Sequence, residues 1–195
     1  MATQIKKGYL RGCRGLMITG LNADGSVPAT PVTHWVDTSQ EASIEMEMVE
    51  GASSDLRGGD RLLTRVEDND TNVGVNLSFT DARFDAQVLS MLAGGTLITT
   101  GTAPDEEIIG WEAPKIADQS AKIPVKVELY VQSFNAEGGR EAYLKYTFPY
   151  CIGTIGSVTH TDQDWGTPEF SFKARENGST GDSAYTKEFV SALPV

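Results

Sequence analysis

Alternation of apolar and polar residues recurs along this 195-residue chain, and it restricts the fold more than any other feature. Successive side chains of an extended strand point to opposite faces, so an alternating segment has one face for a core and one for water. Antiparallel sheets with one solvated face show this pattern. The clearest alternating segments are 44–48, 73–79, 125–131 and 168–174. The sequence therefore predicts a mainly β protein built from antiparallel strands.

Turn residues separate the alternating segments. Asp24-Gly25 lies between the apolar run 16–21 and a strand through Trp35, which predicts an N-terminal hairpin. The run Glu137-Gly138-Gly139 divides residues ending near 134 from residues 143–148, which predicts a second hairpin.

One segment, 81–93, has helical periodicity instead. Its apolar residues fall on one helical face: Phe84, Val88, Met91 and Leu92. Asp81 is the expected N-cap, and Gly94-Gly95 is the expected left-handed stop. Because this helix follows a strand directly, we expect it to pack across a sheet.

Two long segments show neither period. Residues 51–72 combine glycines with charges of both signs, and a loop of this length in a compact domain is usually functional or disordered. Residues 177–195 begin with Gly178-Ser179-Thr180-Gly181 and then carry Tyr185 and Phe189. This composition fits either an arm that docks on another surface or a frayed terminus.

Charge and cysteine content limit the functional classes. The net charge is −11, with 27 acidic and 16 basic residues, which disfavours a conventional nucleic-acid or anionic-lipid binder. No apolar stretch reaches membrane-spanning length, so we expect no membrane anchoring. Cys13 and Cys151 have no nearby cysteine partner; two free thiols in a reducing compartment are expected, and a disulfide stays an alternative.

Motifs for chemistry are missing from the sequence. The dyad His160 and Asp162 offers two metal ligands where a site needs three or four. Neither a nucleophile motif nor a phosphate-binding glycine loop is present, and the acidic run 105–107 lacks the EF-hand pattern. We therefore expect a protein that is not an enzyme, with no catalytic residue, no metal and no cofactor.

Several segments, in order, resemble a known family. Residues 75–95 read VNLSFTDARFDAQVLSMLAGG and resemble the strand–helix unit of siphophage major tail proteins, in which a strand runs into a short helix ending at a double glycine. Residues 146–151, YTFPYC, and residues 165–174, WGTPEFSFKA, are similar to later segments of that family. The strand 11–21 before Asp24-Gly25 also fits. These matches span most of the chain.

The resemblance implies an antiparallel β-sandwich or partial barrel with one flanking α-helix, related in fold to the haemolysin-coregulated tube protein of type VI secretion. One tail-tube domain would occupy residues 1–195, with an N-terminal arm at 1–14, a long stacking loop at 51–72 and a C-terminal arm at 177–195.

The resemblance also implies a function. Rings of six copies would stack into a tail tube that conducts double-stranded DNA without specific binding. Its partners would be sister copies and other tail proteins, namely the tape measure, the tail terminator and the distal tail protein. The protein would belong to the virion tail and assemble in the cytoplasm of the host bacterium.

Specific residues follow from that architecture. The polar alternates of the inner strands would face the lumen, and we assign Glu45, Glu47 and Glu128 to this role. Charged residues of the long loop would pair between rings: Arg57, Asp60, Arg61, Arg65, Glu67 and Asp68. Exposed pairs of this kind set register more than strength.

Other functions fit parts of the same sequence. A capsid decoration protein, a baseplate component or a type VI-like tube subunit would share the β-rich composition. A carbohydrate-binding β-sandwich would use aromatic side chains as a platform, for which Trp35, Trp111 and Trp165 are the candidates.

Overall fold

The computed structural model describes residues 6–102, 104–115, 123–158 and 160–194. One helix, α1 (Ala86–Ala93), lies among the strands of these ranges. The strands are β1 (Tyr9–Gly20), β2 (Thr33–Val36), β3 (Ser39–Val49), β4 (Ser53–Gly58), β5 (Arg61–Glu67), β6 (Thr71–Asp81), β7 (Thr96–Thr100), β8 (Glu107–Glu112), β9 (Pro124–Phe134), β10 (Arg140–Ile155), β11 (Glu169–Ala174) and β12 (Thr186–Val190). The predicted mainly β class with one helix is confirmed.

One large antiparallel sheet organises the fold. Its strand order is β2-β1-β9-β10-β11-β6-β3, and it does not close into a barrel. The long strand β10 pairs with β9 on one side, while on its other side β12 pairs with residues 143–147 and β11 with residues 151–155. Both predicted hairpins are present: β1 pairs with β2, and β9 with β10.

The two halves of this sheet enclose one core. Its largest fully buried side chains include Phe79, Phe148, Phe170 and Phe172, which come from β6, β10 and β11. They cluster with apolar residues of β1 and β9 from the other half. In β11 the burial alternates residue by residue, as the sequence pattern predicts.

Strand β9 departs from that alternation because both of its faces are covered. Tyr130 and Gln132, on the polar face, are as buried as the apolar residues opposite them. Trp35 contributes to this cover: its ring lies over Gly15 and packs edge-on against Tyr130, with ring centroids 5.5 Å apart. A Cβ atom on Gly15 would lie 2.3 Å from the Trp35 ring, so only glycine permits this packing.

The helix begins later than the sequence predicts. Asp81 is not its N-cap, because the backbone there still belongs to β6 and the buried carboxylate accepts from the Thr38 hydroxyl and the Ala82 amide. The cap is Asp85, which accepts from the amides of Gln87 and Val88. The predicted stop at Gly94 is confirmed, with φ of 73°.

Phe84 was expected on the apolar face of the helix, but it precedes α1 and is exposed. The predicted face otherwise holds, since Val88 and Leu92 are buried and Met91 packs against the core. The helix lies against β10 at Gly153, where an added Cβ atom would lie 2.5 Å from the Leu92 side chain.

Asp85 also ties α1 to β2, since its Oδ2 lies 2.6 Å from His34 Nε2. Burial raises the pKa of Asp85. The hydrogen bond and charge of His34, together with the two helix amides, lower it by more than burial raises it, so the pKa lies below the ordinary aspartate value. A depressed pKa contributes stability above the ordinary aspartate range that is lost as pH falls through the folded value.

Replacing Asp85 is therefore expected to destabilise the fold in a pH-dependent way. Asp85→Ala loses both the cap and the hydrogen bond with His34 and should cost about 1 kcal/mol at neutral pH. Asp85→Asn keeps a capping oxygen and should cost less. Urea unfolding at pH 7 and near pH 3 should show the gap between wild type and Asp85→Asn closing in acid. A gap that is constant with pH would contradict this account.

Candidate assembly surfaces

The outward face of the β3, β6 and β11 strands is polar throughout. Their register aligns three rows of side chains that point away from the core, because the neighbouring residues on each strand are the buried ones. The rows are Glu45, Asn76 and Lys173; Ser43, Ser78 and Ser171; and Glu41, Thr80 and Glu169. A broad face carrying hydroxyls and more acidic than basic side chains results.

Two of the predicted lumen residues lie on this face. Glu45 is exposed. Glu47 is half-buried and accepts a hydrogen bond from Arg175 Nη2 at 2.7 Å. That hydrogen bond, against a small effect of desolvation, lowers the pKa of Glu47. Glu47 is therefore engaged by Arg175, whereas no ion pair to Glu45 occurs among the described residues.

The third predicted lumen residue, Glu128, lies elsewhere. It is on the outward face of the other half of the sheet, is only 6% exposed, and pairs with Lys126 at 3.0 Å and Lys145 at 3.8 Å. Lys145 also pairs with Glu188 of β12 at 2.5 Å. The structure therefore brings Glu45 and Glu47 onto one face and separates Glu128, which belongs to a charge ladder within the subunit formed by Lys126, Glu128, Lys145 and Glu188.

Tyr130 lies beside this ladder. Burial, together with the charges of Glu128 and Glu188, raises the pKa of Tyr130 to about 12. Two lysines distinguish Glu128 from the other two glutamates. Lys126 on the same strand and Lys145 on the partner strand lie on the same face as Glu128 in this register, and this is the signal that the sequence offered.

Strand β3 forms a free edge of the sheet. It pairs with β6 along its length, and no strand of the described ranges pairs with its other side. A long edge with unpaired N–H and C=O groups is a template for another strand, and proteins usually cover or shorten such edges.

The segment 51–72 is a two-stranded ribbon, not the irregular loop that its sequence suggests. Strands β4 and β5 pair antiparallel and continue outward from β3 and β6. The ribbon closes at its base, where the Asp68 amide donates to the Ala52 carbonyl at 2.9 Å. Every residue of β4 and β5 is exposed, so no apolar–polar alternation marks these strands in the sequence.

Four large apolar side chains of the ribbon face solvent. Leu56, Leu62, Leu63 and Val66 are each 51% to 60% exposed. A compact protein rarely leaves such a group uncovered, and exposed apolar patches mark interaction surfaces. The sequence-based assignment of ring contacts relied on charges and missed these four residues.

The charges of the ribbon pair partly within it. Arg65 Nε lies 2.5 Å from Glu67 and 3.7 Å from Asp55, and Arg57 lies 3.8 Å from Asp55. The remaining predicted stacking residues, Asp60, Arg61 and Asp68, are exposed at the tip and base of the ribbon. Pairing of these charges between rings stays a prediction.

The two terminal segments differ in what the structure describes. Of the predicted N-terminal arm, residues 1–5 lie outside the described residues, and β1 begins at Tyr9. The predicted C-terminal arm contains β12, which pairs with β10 of its own chain. Lys187 lies over the rings of Tyr146 and Tyr185, 5.2 Å from each centroid, and these contacts stabilise the packing of β12 on β10.

The three tryptophans do not form one aromatic platform. Trp35 packs on Tyr130, and Trp111 Nε1 donates to the Gly94 carbonyl at 2.7 Å. Trp165 alone of the three is fully turned to solvent.

Among the described residues, no group of three or more His, Cys, Asp or Glu side chains is placed to hold a metal ion. The helix that the described ranges contain has eight residues, which is too short to cross a bilayer. Cys13 and Cys151 are free thiols, and burial raises the pKa of both.

Comparison with known proteins finds a distant structural likeness. No protein-family model matches the chain, and no curated protein matches it. A solved structure, the baseplate of the anti-feeding prophage determined by cryo-EM with six-fold symmetrisation, contains a chain that is similar over 98% of both chains. The sequence identity is 10% and the TM-score is 0.38. Similarity at this level carries no conclusion about function.

Proposed function

We propose that this chain is a structural subunit of a phage tail tube, polymerising as stacked rings whose polar lumen conducts double-stranded DNA. One observation carries the proposal: the strand that forms a free edge of the sheet continues directly into an exposed ribbon. Strands β3 and β6 provide the edge and the polar face, and the same two strands continue into the ribbon β4–β5.

Each of these features fits a different contact in a tube. Side-by-side subunits would cover the β3 edge and join their sheets into a continuous inner barrel, which removes unpaired backbone groups. The ribbon would reach the adjacent ring and bury its four apolar side chains there. The outward polar face would then be left for the lumen, because it offers hydroxyls and carboxylates but no apolar surface.

The dimensions of such a barrel suit DNA. If residues 151–155 of β10, which pair with β11, join the three strands of the polar face, six copies with four strands each give about 24 strands. At a spacing of about 4.8 Å and a tilt of roughly 40°, the backbone diameter is about 48 Å. Side chains would reduce the bore to roughly 35–40 Å. Duplex DNA, whose grooves extend about 8 Å from each side of its axis, is on the order of 20 Å wide and would pass with water around it.

The charge of the face suits passage without binding. Glu41, Glu45 and Glu169 outnumber Lys173 in its three rows. An acidic wall repels phosphates, and the repulsion is screened within about 8 Å at physiological salt, so DNA would be kept off the wall without being held back. We propose the virion tail as the location and other tail proteins as the partners.

Electron microscopy of the purified protein tests this function. Concentrated protein, imaged by negative stain alone and with other tail proteins, is expected to form rings or tubes with a central channel. A protein that decorates capsids should bind capsids and form no tubes. Monomers at high concentration under all of these conditions would overturn the proposal.

A further inference from the structure

Trp165 is the most exposed large apolar side chain in the described ranges, at 91%. It follows a tight turn in the β10–β11 connection, in which the Asp164 amide donates to the Thr161 carbonyl at 3.2 Å and Gln163 has φ of 65°. The Trp165 amide donates to the Asp164 carboxylate at 2.8 Å, so the backbone that carries the indole is held in a defined conformation. We call residues 160–165 the Trp165 turn.

A cleft of suitable size lies at another place on the same subunit. The first half of β1 and the middle of β3 approach each other without pairing, and a groove of about 370 Å³ opens between them. We call it the β1–β3 groove. Its apolar and sulfur-containing lining consists of Leu10, Cys13, Ala42, Ile44, Leu129, Val131 and Tyr146. All but Leu10 pack against the core, so the groove is where the hydrophobic core reaches the surface.

The Trp165 turn lies at the end of the interior strand β11, and the groove lies two strands away at the β3 edge of the same sheet. The connection bearing Trp165 is closed at its base by the Gly156 amide and the Glu169 carbonyl, 2.7 Å apart. Glu169 stands beside Thr80, and Thr80 stands beside Glu41, which lines the groove. The turn and the groove therefore lie at the same level along the strands of one subunit.

The charges around the two surfaces are complementary. Residues 6–14 carry Lys6, Lys7, Arg11 and Arg14 and no acidic residue, although the chain as a whole is strongly acidic. Arg11 lines the groove. The Trp165 turn carries Asp162 and Asp164 and neither lysine nor arginine. Glu41 is the acidic residue among those that line the groove.

We propose that the Trp165 indole of one copy inserts into the β1–β3 groove of the next copy. The two surfaces differ, so the contact is heterologous, and a heterologous contact repeated with a closing rotation generates a ring. A buried tryptophan in an apolar pocket is the usual centre of a protein interface. The inference rests on the proposed self-assembly and names the side-by-side contact that would hold a ring together.

Substitution of Trp165 gives the first test. Trp165→Ala is expected to raise the protein concentration needed for assembly at least about tenfold, with Trp165→Phe in between. Thermal unfolding of the subunit should not change, because the side chain touches no core residue. Phe84→Ala, which removes another exposed aromatic ring, is the matched control and should assemble as wild type does.

Photo-crosslinking gives the second test. A benzophenone amino acid in place of Trp165 is expected to form adducts between copies, mapped by mass spectrometry to residues 10–13 or 40–44. Adducts confined to other regions, or wild-type assembly by Trp165→Ala, would overturn this contact while leaving the proposed function in place. Failure of the wild-type protein to assemble at all would instead count against the proposed function, and this contact with it.

Discussion

Removal of the β4–β5 ribbon is expected to abolish stacking while the subunit stays folded. The ribbon contributes no side chain to the core, and its base is already joined by the hydrogen bond between Asp68 and Ala52. Residues 53–67 can therefore be replaced by Asn-Gly, the pair that favours a two-residue hairpin turn. We expect wild-type thermal stability together with loss of tubes in electron micrographs.

A milder variant separates the apolar from the charged contribution of the ribbon. Changing Leu56, Leu62, Leu63 and Val66 to serine or threonine keeps its length and charge. If each side chain buries its exposed part between rings, the loss is roughly 1 kcal/mol per residue and about 4 kcal/mol in sum, or about a thousandfold in association constant. Sedimentation would measure this change.

The ribbon charges provide the control for that variant. Arg57→Gln with Arg65→Gln removes two ribbon cations and should weaken stacking only slightly, because exposed ion pairs contribute about 0–1 kcal/mol. Tubes that form normally without the ribbon would remove its role in stacking. A larger loss from the charge variant than from the apolar variant would reverse the assignment of the main contact.

Reversal of charge on the polar face is expected to make tubes bind DNA. The suitable positions are Glu45 and Glu169, since Glu47 is engaged by Arg175 and Glu41 lines the β1–β3 groove. Glu45→Lys with Glu169→Lys places two new cations in every copy. Where 6–10 phosphates are contacted, affinity falls about 10³- to 10⁵-fold between 50 and 200 mM salt, and we expect this salt dependence.

Co-sedimentation of short duplex DNA with preformed tubes measures the effect. The matched control is Glu106→Lys with Glu107→Lys, which changes the net charge equally at exposed positions away from the polar face. Little retention by wild-type tubes, strong retention by the Glu45 and Glu169 variant, and weak retention by the control are expected. Equal retention by both variants would show that the polar face does not line the channel. In a phage, the first variant should slow genome release.

The strands that the sequence predicts well are those with one face in water. In β11, Phe170 and Phe172 face the core while Ser171 and Lys173 face solvent, and the alternation appears directly in the residue order. The ribbon escaped prediction because neither of its faces is buried in the subunit, as the adjacent Leu62 and Leu63 show. Hydrophobic periodicity records only what one chain buries by itself.

The sequence alone also could not distinguish the three predicted lumen glutamates from one another. Glu45, Glu47 and Glu128 are equivalent in the sequence, each following an apolar residue in an alternating run. Their environments differ because Lys126 and Lys145 reach Glu128, and only the register of β9 with β10 places Lys145 there. The helix cap was assigned to the wrong aspartate for a related reason. Asp81 and Asp85 are both suitable N-cap residues, but Asp81 accepts a hydrogen bond from Thr38, the residue before β3.

Strand β9 has no face in water, whereas the ribbon has two, and this contrast predicts how such proteins diverge. A substitution anywhere on β9 disturbs either the core side or the layer formed by Trp35, Tyr130 and the charge ladder. Ribbon residues affect only what another molecule meets. Related chains should therefore differ least along β9 and most along β4 and β5, where new contact preferences can arise without loss of the folded state.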